Sequence, residues 1–278
     1  MEESEERMRV GMILPWTEPD GSPLRSGSLA AGAARIEDLG YDGLWVFDAI
    51  GRGFVVPDPL AALAVAATVT DRVEVGTCIL QLGIRNPVEV AHRIMTTHLI
   101  AGDRLSVGVG AGSTRADFDA FGVDYDSRFD AFPRHLDRIR AILRQEDPEG
   151  VDLSPWPTVK GGPRFLIGSW GSGTWIPQAA QEFDGWIASA AKGGRLAEGA
   201  EAYRQAGGDR AIVTNIHVDL DADQATADEF PFSLRCSEEE ARERLSWLRD
   251  IGFSDVILRT PDHSPNNLER IRTLVGEI

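Results

Sequence analysis

The residues with the clearest potential for chemistry follow a short apolar run, 165–167. Residues 168–174 are Gly-Ser-Trp-Gly-Ser-Gly-Thr, and a segment with helical character begins after them. The glycines leave backbone N–H groups accessible, and Ser169, Ser172 and Thr174 add hydroxyl donors. Because the N-terminus of a helix attracts negative charge, this turn has the character of an anion site, most often for phosphate. A plain strand-to-helix loop with Thr174 as its N-cap is the alternative interpretation.

Other chemically active residue types are sparse. The five histidines are scattered along the chain, and there is no Gly-x-Ser-x-Gly motif of a serine hydrolase. Asp48 follows an apolar run and is the only obvious candidate for a catalytic acid or base, although it could instead cap a turn or pair with Arg52. A site made of glycine, small, aromatic and hydroxyl residues suits a flat aromatic cofactor that supplies the reactivity itself.

Composition narrows the class of protein. A net charge of −16 argues against nucleic-acid binding, which needs a basic surface. No apolar run approaches the roughly 20 residues of a membrane span. With two cysteines we expect neither a disulfide framework nor a multi-cysteine metal site. The acidic start is unlike a signal peptide, so we expect a cytoplasmic protein with residues 1–7 disordered.

The elements that must position these residues form a repeated strand–helix pattern. Apolar runs alternate with helix-like segments eight times, at residues 9–14, 43–47, 73–80, 105–109, 164–168, 185–189, 211–218 and 255–259. Continuous apolar runs are typical of strands buried on both faces. The pattern predicts a single (β/α)8 TIM-barrel domain over residues 1–278, with a surface crossing at 147–162. A doubly wound sheet is the alternative, but residues 14–17 after the first strand lack its glycine fingerprint.

In a barrel of this kind, the carboxyl ends of the strands meet at one rim, where the active site lies. That rule brings Asp48 and the 168–174 turn together. It adds Trp16, Ala49 and Gln81, which we assign to substrate binding. Trp16 and Trp170 are either ordinary hydrophobic residues or the walls of an aromatic pocket.

Several short motifs occur in the order seen in one known family. They are residues 40–48 (GYDGLWVFD), 75–80 (VGTCIL) with Asn86-Pro87, 102–112 (GDRLSVGVGAG), 121–123 (FGV) with Arg128, and 183–187 (FDGWI). With these motifs the chain resembles the luciferase-like flavin-dependent oxidoreductases. That family includes bacterial luciferase, FMN-dependent alkane-sulfonate monooxygenases and enzymes that use coenzyme F-420. The resemblance covers roughly residues 8–190.

The resemblance implies a barrel that holds FMN or coenzyme F-420 at the rim. The residues it implies for the ring and its surroundings are Thr77, Cys78, Ile79, Gly110 and Ala111. Those implied for the phosphate and its surroundings are Gly168, Ser169, Trp170, Gly171, Ser172 and Thr174. Family members often carry a cis peptide bond at the end of the third strand, and the matching bond here is Cys78–Ile79.

The chain departs from the family pattern at two positions of the rim. Many members have a histidine after the acidic residue of the second strand, where this chain has Ala49. Luciferases carry a phosphate-binding arginine after the fourth strand, and the deazaflavin sugar dehydrogenases a glutamate in the same region, where this chain has Ala111. Arg115 is the candidate to replace that anion contact, and the flavin itself remains the firmer expectation.

The sequence therefore predicts a flavin-dependent oxidoreductase that transfers hydride to or from a small organic substrate, with O2 insertion as a variant of this chemistry. FMN and coenzyme F-420 are not separated by these residues. A non-catalytic flavin- or ligand-binding barrel and a phosphate-handling isomerase or aldolase are the alternatives. The expected partners are a small-molecule substrate, a flavin reductase or nicotinamide donor, and a second copy of the chain in a homodimer.

Overall fold

Eight parallel strands close into a barrel in the structure, a computed structural model that describes residues 7–147, 150–151, 153–170, 174–190, 195–222 and 232–276. The barrel strands are β1 (Arg9–Ile13), β2 (Gly43–Val46), β3 (Glu74–Gln81), β4 (Leu105–Gly110), β5 (Arg164–Gly168), β6 (Trp186–Ser189), β7 (Ala211–Asp219) and β9 (Asp255–Arg259). Each strand pairs with its neighbour in chain order, β6 pairs with β7, and β9 pairs with both β7 and β1. The predicted TIM barrel is confirmed.

Helices surround the barrel. The described residues form α1 (Ser28–Asp38), α2 (Pro59–Thr68), α3 (Pro87–Ala101), α4 (Arg115–Phe121), α5 (Arg128–Arg144), α6 (Trp175–Glu182), α7 (Leu196–Gln205), α8 (Glu238–Asp250) and α9 (Pro265–Gly276). Local sequence explains where several of them begin. Asp58 and Asn86 accept backbone N–H bonds at the starts of α2 and α3, each with proline at the first helical position. Ser237 caps α8 in the same way.

Some elements lie outside the predicted pattern. The two-residue strand β8 (Leu234–Arg235) pairs in parallel with the end of β7, and α4 lies between β4 and α5, where the predicted pattern has no element. Arg7, expected to be disordered, forms an ion pair with Asp42 (2.6 Å). Residues 1–6 lie outside the described residues, as do 148, 149 and 152 of the predicted surface crossing. The domain limits therefore stay predictions.

The inside of the barrel is filled below the rim. Trp45 is buried and occupies the space left by Gly11, Gly43 and Gly76, where a Cβ at Gly76 would lie 2.3 Å from the indole ring. Because this ring needs three neighbours without side chains, the glycines of these strands serve packing. The tryptophan closes the barrel beneath the rim.

A charged layer lies below Trp45, at the amino ends of the strands. Glu74 accepts two hydrogen bonds from Arg210 (2.9 and 2.7 Å) and one from Arg9 (2.8 Å). Burial alone would raise the pKa of Glu74, but the hydrogen bonds and charges of these arginines lower it to about 2. Asp255 pairs with both arginines as well, so this end of the barrel is held by compensated charge.

Candidate functional site

A cavity of about 530 Å³ opens at the carboxyl ends of the strands. This volume is in the range of small-molecule and cofactor sites. Its lining includes most of the residues predicted for the site, namely Asp48, Cys78, Ile79, Gln81, Gly110, Ala111, Gly168, Ser169, Trp170 and Thr174. The barrel rule thus gathers residues from β2 to α6 around one space.

Five predicted residues are not among the described lining. Thr77 is buried in the barrel wall, where its hydroxyl donates to the Gly108 carbonyl (2.7 Å). Ala49 is buried, and Trp16 packs edge-on against Phe47 with ring centres 5.7 Å apart. Gly171 and Ser172 lie outside the described residues. The binding roles of these five stay predictions.

The floor of the cavity is built around Ile79. The Cys78–Ile79 peptide bond is cis, as the resemblance implies. The Ile79 side chain packs over Gly110 and Gly168, and a Cβ at Gly168 would lie 2.4 Å from Ile79 Cγ2. Because both glycines lack side chains, Ile79 can lie across the ends of β4 and β5. The result is an apolar surface against which a flat ring can lie.

The turn after β5 offers hydrogen-bonding groups at one side of the cavity. Ser169 Oγ accepts a hydrogen bond from Trp186 Nε1 (2.9 Å), which fixes the position of that hydroxyl. Thr174 occupies the N-cap position of α6, but its side chain makes no capping bond. Thr174 therefore has the N-cap position that the plain-loop interpretation gives it, but its hydroxyl does not cap the first backbone N–H groups of α6.

An arginine that we did not single out as a ligand lies on the same side. Arg128, at the start of α5, lines the cavity with its side chain 15% exposed. Its guanidinium lies over the rings of Tyr125 and Phe129 (3.6 and 4.1 Å) and donates to the Tyr125 carbonyl (2.9 Å). Its buried Nε has no partner among the described residues. Phe132, one turn later on α5, contacts Trp175 at the start of α6 (4.9 Å), so Arg128 and the α6 N-terminus face the same space.

Arg115, the expected replacement for the missing arginine, has a different position. It is 56% exposed, pairs with Asp126 (3.2 Å) and is not part of the described lining. The expectation for Arg115 is therefore replaced by Arg128, which is the better placed cation. The signal in the sequence was the arginine that follows the Phe121-Gly122-Val123 motif.

Asp48 is held by a buried ion pair. Its two oxygens accept from Arg85 Nη1 and Nη2 (2.6 and 2.9 Å), and the Gln81 backbone N–H donates to Oδ2 (2.9 Å). The side chains of Asp48 and Arg85 are 1% and 6% exposed. Arg52 pairs instead with the buried Asp117 (2.5 Å), so the alternative of an Asp48–Arg52 pair is wrong.

Gln81 links these two ion pairs. Its Nε2 donates to Asp117 Oδ2 (2.9 Å) and to the Asp48 carbonyl (3.1 Å). The loops after β2 and β3 are thereby joined to α4 through buried hydrogen bonds. Because these bonds use both hydrogens of the amide, Gln81 acts first as a structural link within the cavity wall.

Cys78 on β3 and Thr214 and Asn215 on β7 also line the cavity, and Arg259 on β9 lies beside them. Burial raises the pKa of the Cys78 thiol to about 12, with small opposing effects of Thr214 and Arg259. Cys78 is therefore a neutral thiol at physiological pH. Arg259 lies over the rings of Trp16 and Phe47 (5.0 and 5.2 Å). These contacts give this half of the cavity an aromatic and cationic border.

The sequence model of luciferase-like monooxygenases matches residues 8–270 of the chain. The chain belongs to the luciferase-like monooxygenase family. The family expected from the motifs is thus confirmed, and the match extends well beyond the stretch in which we found them.

One relative of the chain is 4-hydroxyprotoasukamycin monooxygenase of Streptomyces nodosus subsp. asukaensis. It is 31% identical over 114 residues, which are 41% of this chain and 31% of that enzyme. Matches to several curated relatives cover between 31% and 49% of those proteins' lengths. The chain therefore matches less than half the length of each of these relatives.

Solved structures resemble the whole chain. The oxygenating constituent of 3,6-diketocamphane monooxygenase from Pseudomonas putida, in complex with FMN, superposes with a TM-score of 0.76 at 16% identity, over 97% of this chain and 98% of that chain. The coenzyme F-420 dependent tetrahydromethanopterin reductase of Methanopyrus kandleri has a TM-score of 0.70 at 16% identity, with 98% of both chains covered. At these identities the likeness shows the fold.

Two further findings concern metal binding and membrane-spanning helices. Among the residues that the structure describes, no group of three or more His, Cys, Asp or Glu side chains could hold a metal ion. No described helix is long and apolar enough to cross a membrane.

Proposed function

We propose that the protein is an oxidoreductase that binds FMN or coenzyme F-420 in the rim cavity and acts on a small organic substrate. The observation that carries the proposal is the pairing of an apolar floor at Ile79 with hydrogen-bonding and cationic groups at the β5–α6 turn. A flat ring and an anionic tail need these two environments side by side.

The residues present fit such a group. Arg128 has a buried Nε without a described partner, and a phosphate oxygen would satisfy it. Thr174 leaves the α6 N-terminus uncapped by its side chain, and backbone N–H groups there favour an anion. Ser169 adds a hydroxyl whose position is fixed by Trp186. Family membership gives independent support for a flavin-type cofactor.

When bound, the cofactor would supply hydride transfer, and reaction of its reduced form with O2 is the monooxygenase variant. The chain would orient the ring on Ile79, hold the phosphate with Arg128, and limit water at the floor of the cavity. Asp48 was the expected acid or base. Its bidentate bonds to Arg85 support an anchoring role within this proposal.

Titration of the purified apo-protein with FMN and with coenzyme F-420 tests the proposal, read by absorbance and fluorescence. Arg128→Met should weaken binding of the preferred cofactor by about 1–3 kcal/mol, or about 5–150-fold, because a charge-assisted bond is lost. Thr174→Ala should act in the same direction. Arg115→Met is the matched control, since that arginine also pairs with Asp126 but is exposed and outside the described lining of the cavity. No binding of either cofactor would contradict the function, and equal effects of the two arginine variants would contradict the phosphate site.

A non-catalytic flavin-binding barrel is the second candidate. It is favoured by Ala49 and Ala111, where other members carry reactive side chains, and by the fully bonded Asp48 carboxylate. Stopped-flow reduction of the bound cofactor by NADH, NADPH or a purified flavin reductase separates the two. Reduction that is coupled to turnover supports the enzyme, whereas a cofactor that binds tightly but is never reduced or reoxidised by any donor supports the binder.

We also propose a cytoplasmic homodimer that receives reducing equivalents from a flavin reductase or a nicotinamide donor. Exposed apolar residues at the C-terminal ends of neighbouring helices support the dimer, with Val65 and Val69 at α2 and Leu99 and Ile100 at α3. Light scattering of the protein and of Leu99→Glu would test it. A monomer in both cases would contradict this part of the proposal.

A further inference from the structure

The part of the cavity lining that β7 supplies carries a hydrogen-bond donor to which the proposed function gives no role. Asn215 lines the cavity on β7. Arg259 Nη1, on the adjacent strand β9, donates to Asn215 Oδ1 (3.0 Å). Both side chains are partly buried.

This bond decides how the Asn215 amide is oriented. A guanidinium only donates hydrogen bonds, so the amide atom that faces Arg259 must be the oxygen. The NH2 group then points away from Arg259, and no described residue accepts a hydrogen bond from it. Asn215 also adopts a left-handed backbone conformation with φ of 68°, which asparagine tolerates better than most residues.

The packing of Arg259 restricts the orientation of the Asn215 amide. The guanidinium lies over the faces of Trp16 and Phe47, 5.0 and 5.2 Å from their centres. Packing over two rings restricts the arginine, and the arginine in turn restricts the amide. A cation bonded to the amide oxygen draws electron density from the nitrogen, so the N–H groups of Asn215 donate more strongly.

Among the described residues of β6 and β7 that line the cavity, none is acidic. Cys78 and Thr214 are polar residues on the floor, and the thiol of Cys78 stays neutral because burial raises its pKa to about 12. Ile187 and Phe47 supply apolar wall. A ligand here therefore meets the Asn215 amide, the Thr214 hydroxyl, which has no partner among the described residues, a nearby positive charge and an apolar surface.

We propose that Asn215 is a substrate-binding residue whose Nδ2 donates to an sp2 oxygen, carbonyl or carboxylate, of an organic ligand with an apolar body. The inference rests on the proposed function in one respect, that the cofactor occupies the other half of the cavity around Ile79 and Arg128. Arg259 is a positioning residue that orients the amide. Amines are disfavoured because they would bring a positive charge toward Arg259.

Ligand titration tests the assignment without requiring turnover. Benzoate, cyclohexanone and benzylamine are titrated by calorimetry into the apo-protein and into the protein saturated with its cofactor. The native protein should bind benzoate and cyclohexanone and not benzylamine. In Asn215→Asp, one carboxylate oxygen pairs with Arg259 and the other faces the ligand as an acceptor, so affinity for benzoate should fall by about tenfold or more.

Variants separate this effect from a loss of folding. Asp and Gly both tolerate the left-handed conformation, so Asn215→Asp and Asn215→Gly remove the donor without backbone strain. Arg259→Met should reduce ketone affinity less than Asn215→Gly, because it frees the amide without removing it. Gln145→Gly is the matched control, since Gln145 is an exposed amide residue with φ of 63° outside the cavity lining, and glycine tolerates that conformation.

Two results would overturn the assignment. One is equal benzoate affinity for the native protein and both Asn215 variants, and the other is a preference of the native protein for benzylamine. Failure of the proposed function is a separate outcome: FMN and coenzyme F-420 would not bind, while benzoate affinity would still depend on Asn215. If the Asn215 variants instead lose cofactor affinity in parallel with benzoate affinity, Asn215 contacts the cofactor and the assignment is wrong.

Discussion

The Asp48–Arg85 ion pair allows a decisive test of whether Asp48 holds the rim together or takes part in chemistry. Its side chains are 1% and 6% exposed, and two hydrogen bonds join them. Arg85→Met would leave a buried carboxylate with one remaining donor, the Gln81 backbone N–H. Removal of one partner from a buried pair typically costs about 3–5 kcal/mol. At about 2–4 °C per kcal/mol for a chain of this size, the midpoint of thermal unfolding should fall by about 6–20 °C.

Denaturant unfolding of four proteins measures the effect: the native chain, Asp48→Leu, Arg85→Met and the double variant. If the pair is structural, the double variant should be destabilised by much less than the sum of the single variants, because no charge is then buried alone. Additive effects would show that the two side chains do not act as a pair.

Asp48→Asn then separates anchoring from catalysis once a turnover assay exists. An anchoring carboxylate predicts lower stability and a pH profile of kcat with its shape unchanged. Loss of one limb of the profile, with a fall in kcat of about 100-fold or more and native stability, would refute the reasoning and make Asp48 the acid or base.

Three further outcomes follow from the geometry. Gly168→Ala places a Cβ 2.4 Å from Ile79 Cγ2, so the floor of the cavity must shift. Cofactor affinity, measured by fluorescence titration, should therefore fall by about tenfold or more. Unchanged affinity would show that the cofactor ring does not lie on Ile79. Burial raises the pKa of Cys78 to about 12, so this thiol should resist iodoacetamide at pH 8 in the folded protein and react after denaturation. Mass spectrometry measures the extent of alkylation. Rapid alkylation of the folded protein would contradict the burial of Cys78. The pKa of Glu74 is lowered from 4.5 to about 2, so its contribution to stability is complete above about pH 4.5 and is lost as the pH falls toward 2. Acid unfolding of Glu74→Gln should be flatter over that interval, and identical slopes would show that the lowered pKa is absent.

The barrel could be predicted from sequence because its signal is local. Each strand is an apolar run of a few residues, and turns and caps such as Asp58-Pro59 and Asn86-Pro87 mark where helices begin. The short β8 could not be predicted, since two residues carry no periodicity and the strand exists only through its pairing with β7. Helix α4 was missed because seven residues present too little of a helical repeat.

The sequence predicted which residues lie near one another at the site, but not the bonds between them. The rim rule collected Asp48, Gln81 and the β5–α6 turn, but it could not predict which side chains bond to which. Arg85 is 37 residues from Asp48 in the chain, and only the closure of the barrel brings them together. The exposure of Arg115 and the burial of Arg128 likewise depend on how α4 and α5 pack, which a motif does not encode.

Within the part of the chain that the structure describes, the buried Trp45 ring and the Glu74 layer fill the barrel below the cavity. A ligand that lies on Ile79 therefore enters and leaves through the rim. Two ligands bound in this cavity would share the rim as their route. A bound substrate should therefore slow the release of the cofactor, and a large excess of substrate should slow cofactor binding.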